Sequence, residues 1–136
     1  MDKLNRIMAL DIGDKRIGVA LSDPFGLFVS QTELVIRKND KEALDEIEAL
    51  CKLYSVNKIL VGVPYNMDGT FGFQAQKNID FIEPLKDKHE IIYRDERLTS
   101  FQAEEALKQE NVKYTKNKGL VDIKSACIIL EDYLGE

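Results

Sequence analysis

Residues 9–23 read ALDIGDKRIGVALSD. An apolar run ends on Asp11, turns through Gly13 to Lys15 and restarts as a second apolar run, so the stretch predicts a β-hairpin whose first strand ends on a carboxylate. Working outward, RIMALDI and RIGVALS are its two strands, and LFVSQTELVI predicts a third after the turn at Pro24 to Gly26. Three short strands in succession suggest an antiparallel meander.

The period then changes. In NDKEALDEIEALCKLY, residues Ala43, Leu44, Ile47, Leu50, Cys51 and Tyr54 recur at helical spacing behind an Asn39 cap with Glu42 three residues on. KILVGVP is a short, continuously apolar run that suits a strand buried on both faces, ended by Pro64. GTFGFQAQKNIDFIEPL predicts a helix broken near Pro84, EIIYRDE another strand, TSFQAEEALKQE a helix capped by Thr99 with Gln102, and VDIKSACIILEDYL a last helix. Strand–helix–strand connections imply parallel crossovers. The expectation is therefore an α/β fold with a mixed five-stranded sheet, an antiparallel three-strand meander extended by parallel strands and flanked by helices.

Composition bounds the function. The 136 residues suit one domain, spanning residues 1–136. No stretch approaches the roughly 18 apolar residues of a membrane span, and MDKLNRIMAL lacks the apolar centre of a signal peptide, so a cytoplasmic protein is expected. Cys51 and Cys127 lie far apart among apolar helical positions and His89 sits in a charged turn, which argues against a zinc site, a disulfide framework or a Cys/His nucleophile. The net charge of −5 argues weakly against a general nucleic-acid binder. Its distribution is uneven: Asn111 to Lys124 carries Lys113, Lys116, Lys118 and Lys124 against Asp122 alone, with Tyr114 interleaved.

Three carboxylates stand at telling addresses. Asp11 closes the first strand, Glu96 closes EIIYRDE, and Asp122 opens the last helix in line with Ala126, Ile129 and Tyr133, the stripe that should face inward. Each has a local explanation: a turn for Asp11, Arg94 or Arg97 for Glu96, a helix dipole for Asp122. A carboxylate aimed at a core needs a cation, however. If the Asp11 and Glu96 strands lie side by side, their ends bring two acids together and the last helix supplies the third. Such a set suits Mg²⁺ or Mn²⁺, and two such ions activate water at a phosphodiester. That predicts a nuclease.

Four stretches, LDIGDKRIGVALSD, ILVGVPYNMDGTFGFQA, RDERLTSFQAEEAL and VDIKSACIILEDYL, together span nearly the whole chain and resemble the bacterial YqgF (RuvX) family. Its members are described as Holliday-junction-resolvase-like and as pre-16S ribosomal RNA nucleases with a ribonuclease H-like fold. The resemblance implies that Asp11, Glu96 and Asp122 are catalytic and hold a two-ion Mg²⁺ or Mn²⁺ site. It also implies processing of the 5′ end of precursor 16S ribosomal RNA in ribosome biogenesis.

Around the three acids, Lys15, Arg16 and Arg97 are candidate phosphate contacts, as are Lys113, Lys116 and Lys118, with Tyr114 for stacking. The segment Gly69 to Gly72 opens a helix, where backbone N–H groups suit a phosphate. The alternatives are a Holliday-junction resolvase, which needs two sites and hence a dimer, and a non-catalytic module of the same fold that binds nucleic acid or protein. RNA processing leaves monomer and homodimer both open. A D-I-G run before a hairpin also resembles the phosphate loop of sugar kinases and actin, a superfamily that needs two lobes where this chain has room for one.

Overall fold

A computed structural model describes residues 6–66, 68–96, 99–110 and 118–136, without the side chains of residues 99, 100 and 118. Its strands are β1 (Arg6–Ile12), β2 (Arg16–Ser22), β3 (Val29–Ile36), β4 (Val56–Val63) and β5 (Glu90–Asp95). Its helices are α1 (Asp40–Leu53), α2 (Phe73–Ile82), α3 (Thr99–Gln109) and α4 (Lys118–Leu134). They form the mixed sheet expected, in the order β3-β2-β1-β4-β5. β1 pairs antiparallel with β2 and β2 with β3, while β4 runs parallel to both β1 and β5.

One expectation about neighbours is corrected. The Asp11 and Glu96 strands are not adjacent, because β4 lies between them. The hairpin fills one side of β1, so the crossover through α1 brings β4 to the only open side, and the next crossover, through α2, adds β5 beyond it. The third strand also starts later than its apolar run. The carboxylate of Asp23 accepts backbone hydrogen bonds from Phe25 (3.0 Å), Leu27 (2.7 Å) and Phe28 (2.8 Å), which holds Leu27 and Phe28 in the turn. Asn39 caps α1 through a 2.9 Å bond from the Glu42 amide, as its spacing predicts. α4 begins four residues before Asp122, which therefore sits in its second turn. The Thr99 cap lies outside the described side chains. Both cysteines are free and buried.

The two faces of the sheet differ in side-chain size. Met8, Leu10, Ile12, Ile17, Val19, Leu21, Ile59 and Val61 point to one face, under α1 and α2, where Ala43, Ile47, Cys51, Phe81 and Ile82 meet them. The opposite face is lined by smaller residues: Ala9, Ala20 and Leu60 pack against Ala126, Cys127, Ile129 and Leu130 of α4. Gly18 and Gly62 lie on that same face, and they decide how close α4 comes. A Cβ on Gly18 would stand 2.0 Å from the carbonyl oxygen of Asp122, so the helix backbone rests on the strand backbone itself.

That close approach predicts a large asymmetry between glycines. Gly18→Ala forces α4 away and costs more than about 2 kcal/mol, the range of overpacked cores. Gly135→Ala, whose Cβ would meet nothing nearer than 3.4 Å, leaves the urea midpoint nearly unchanged.

Candidate active site

Three elements deliver the acids, and two glycines make room for them. Asp11, near the end of β1, pairs across the hairpin with Gly18. Glu96 follows β5 and extends the ladder by one bond, its amide donating to the Val63 carbonyl at 3.0 Å. To reach Asp11 its side chain must cross β4, and it does so over Gly62. A Cβ there would lie 2.6 Å from Glu96 Cδ and Oε2. The two carboxyls hydrogen-bond to each other across that gap. Asp122 descends from α4 above Gly18, and its Oδ2 accepts from Arg16 Nε at 2.9 Å. All three acids line one open pocket of about 290 Å³, together with Ile12, Gly13, Asp14, Pro64 and Gln74.

The electrostatics follow from that geometry. Burial pushes the Asp11 carboxyl up to about 6, against the lowering effect of its bond to Glu96 and with the charge of Asp122 adding to the rise. Glu96 is raised further, first by burial and then by the charge of Asp11. Burial raises Asp122 as well, although its bond and charge contact with Arg16 pull the other way. Two carboxyls in hydrogen-bond contact hold a proton between them when no cation is present, because both cannot ionise in so little water.

A surrounding shell fixes the walls. Arg37, stacked 4.3 Å from the centre of the Phe81 ring, donates to the Gly13 carbonyl at 2.8 Å and so pins the turn that follows Asp11. Buried Asn78 donates to the Gly62 carbonyl at 3.2 Å and accepts from Gln74 Nε2 at 3.2 Å, tying the pocket wall to β4. Asp14 is paired with Lys77 at 3.2 Å.

Of the residues singled out from sequence, Asp11, Glu96 and Asp122 share the pocket. Among the described residues no three His, Cys, Asp or Glu side chains converge closely enough to surround one ion. Arg16 is engaged with Asp122, an ion pair that sequence spacing does not announce since its members are 106 residues apart. Lys15 is exposed on the hairpin turn. Lys118 opens α4, and its side chain, like Arg97, Lys113, Tyr114 and Lys116, lies outside what is described. Arg94 turns from Glu96 to Glu136. Gly72 caps α2 without any side-chain bond, so the helix begins at Phe73 rather than at Gly69. The roles of Gly18 and Gly62 were missed. The signal was there, because a glycine inside an otherwise apolar strand marks a close backbone approach.

A mixed sheet in this order, with one acid near the end of central β1 and another just past the edge strand β5, defines a ribonuclease H-like fold. The fowlpox virus resolvase, solved with its Holliday junction DNA substrate, superposes with a TM-score of 0.65 at 16% identity, over 96% of this chain and 97% of that one. Thermus thermophilus RuvC, solved with a Holliday junction substrate, gives a TM-score of 0.53 at 10% identity, over 96% of each chain. The particular branch is set by sequence: the chain belongs to the RuvX family, whose model, described as Holliday junction resolvase, matches residues 5–136. A relative from Halothermothrix orenii, 44% identical over 131 residues, covering 95% of this chain and 94% of that protein, is named "Putative pre-16S rRNA nuclease".

The raised carboxyls have a consequence for stability. Their folded pKa values lie above the unfolded ones, so the stability they contribute is complete below about pH 4 and is lost as pH rises through the folded values, that of Asp11 being about 6. In EDTA the melting temperature therefore falls between pH 5 and pH 8. Asp11→Asn removes part of that fall and stabilises the protein at pH 8 by on the order of 1–3 kcal/mol, measured by thermal or urea unfolding.

Proposed function

We propose that this protein is a metal-dependent nuclease that processes the 5′ end of precursor 16S ribosomal RNA, hydrolysing phosphodiesters at Asp11, Glu96 and Asp122. The observation that carries the reading is the meeting of Asp11 and Glu96 over Gly62, in a pocket that Asp122 also lines. Nothing in the packing of the sheet requires two acids to touch. An apolar pair would fill that space at less cost, so the contact is explained by chemistry at the site.

The donor set fits a hard divalent cation. Carboxylate oxygens are the ligands Mg²⁺ and Mn²⁺ prefer, and a cation there would offset the burial and neighbouring charge that raise Asp11 and Glu96. The chemistry a pair of such ions would supply there is an activated water and a stabilised leaving oxygen. Asp11 and Glu96 are the residues that would hold them. The bond from Arg16 occupies Oδ2 of Asp122, and a carboxylate has a second oxygen to offer. Arg16 also fixes the direction in which Asp122 presents that oxygen. Lys15, exposed on the turn after Asp11, is proposed to meet a phosphate, and Arg97, Lys113, Lys116 and Lys118 to extend the contact along the strand. The work belongs in the cytoplasm, where ribosomal RNA matures, and one site per chain suffices for it.

A second reading, cleavage of branched DNA, is favoured by the family description and by the junction-bound resolvases of like fold. It adds a requirement for two sites related by a two-fold axis.

The test is cleavage of a labelled precursor 16S 5′ end, a generic single-stranded RNA and a four-way DNA junction, each with Mn²⁺ or EDTA. The precursor is cut in Mn²⁺ and not in EDTA. Asp11→Asn and Glu96→Gln each lower the rate by roughly 100-fold or more while remaining folded. Preferential cutting of the junction by a dimer selects the second reading. Equal inertness of the wild type and both variants on all substrates makes the protein a binding module.

A further inference from the structure

Beside the carboxylate pocket stands a group of aromatic rings that no part of the chemistry above uses. Phe73, the first residue of α2, is 80% exposed, and Phe71 is 49% exposed. Phe71 meets Tyr65 edge to face, with ring centres 5.9 Å apart. The segment between them is closed on itself. The Asn66 amide donates to the Thr70 carbonyl at 2.9 Å, the Gly69 amide donates to the Asn66 carbonyl at 2.7 Å, and Asn66 Nδ2 donates to Thr70 Oγ1 at 2.9 Å. Gly72 is packed so tightly on Asn66 that a Cβ would fall 2.8 Å from Asn66 Oδ1. Tyr65 and Phe71 thus flank a set of hydrogen bonds among Asn66, Gly69 and Thr70.

Phe73 is linked to the pocket through Lys77, one turn along α2. Its Nζ stands 5.5 Å from the centre of the Phe73 ring and 3.2 Å from Asp14, which lines the pocket. Gln74, the neighbour of Phe73, lines the pocket too. Phe73 thus lies at the rim, next to where a scissile phosphate would sit, with an ammonium group against its ring.

We infer that Phe73 is a stacking platform for an unpaired nucleobase next to the cleaved phosphate. The site therefore takes single-stranded nucleic acid rather than the interior of a duplex. The inference rests on the nuclease reading for its location. An exposed ring gains by covering its face with another π-system, and an unpaired base offers its face where the interior pairs of a duplex are already stacked on one another. The lysine beside it, paired with Asp14, ties the ring to the pocket's rim. A protein partner would gain from the apolar rings but nothing from their adjacency to three carboxylates. Stacking is tolerant of base identity and of sugar, so RNA and DNA single strands both qualify.

The experiment uses 12-nucleotide single strands of RNA and of DNA, each carrying one 2-aminopurine, and the blunt duplex of the same sequence. The probe is excited to the red of tyrosine and tryptophan absorption, so it is read free of protein background in every variant, Phe73→Trp included. Binding is read with full-length Asp11→Asn in Mg²⁺, alone and combined with Phe73→Ala, Phe73→Leu or Phe73→Trp. Cleavage is read with the same Phe73 variants in the wild-type background. Stacking quenches the probe, and Phe73→Ala weakens single-strand binding about 10-fold or more. Phe73→Trp restores it and Phe73→Leu, equally apolar, does not. In cleavage KM rises with kcat within about 2-fold, the mark of a ground-state contact. Duplex binding is unmoved. Melting curves check that each variant is folded, and if Phe73→Ala is not, Phe73→Leu decides alone.

Single-strand affinity equal to the parent's in folded Phe73→Leu overturns the inference, as does equal loss on the duplex. Cleavage that survives in Phe73→Ala with unchanged KM removes the platform and leaves the nuclease. Quenching that depends on Phe73 without cleavage of any substrate removes the nuclease and leaves the platform.

Discussion

The close contact of backbone with side chain over Gly62 and Gly18 is the constraint on which the site depends. Sheets keep neighbouring strands about 4.8 Å apart, so an acid on β5 is nearly two strand spacings from an acid on β1. Long side chains span that distance only where the strand between them presents nothing. Gly62 presents nothing, and Glu96 lies across it. Gly18 does the same for α4, letting the helix that carries Asp122 settle onto β2 until main chain meets main chain. Each glycine forfeits packing and chain entropy relative to alanine, and the return is geometric.

The same compression explains why the fold is lopsided. Bulky aliphatics fill the face under α1 and α2 and supply the apolar burial that holds the sheet together. The face under α4 carries alanine and glycine, so it contributes less burial and more proximity. Structural and chemical duties are divided between the two sides of a single sheet. The acids themselves work against the fold in the absence of a cation, a common arrangement where activity and stability compete for the same residues.

Much of this was legible in the order of residues, and what was not has a definite physical cause. The strand end at Asp11, the hairpin, the α1 stripe behind Asn39 and the buried β4 run are local patterns, and local patterns survive in a sequence. That Glu96 and Asp122 would join Asp11 could be argued from their places at element ends. How they would join could not, because strand order is set by which edge of the sheet is still open when each crossover returns, and periodicity carries no record of that. Placing β4 between β1 and β5 turned an ordinary glycine of KILVGVP into the gap through which two carboxyls meet. Arg16 escaped for the same reason, since its partner lies on the far side of the whole sheet in sequence terms.

The bond between Arg16 and Asp122 also says something about time. Loop closure makes long-range contacts slow relative to hairpins and single helices, so the meander and its first crossover can assemble while α4 is still undocked. A chain in that condition has its sheet and its larger apolar face, yet one of its three acids is elsewhere. The three carboxylates are therefore brought together by the last packing event rather than with the bulk of the structure. A partly folded or newly made molecule has its sheet without the assembled carboxylate pocket.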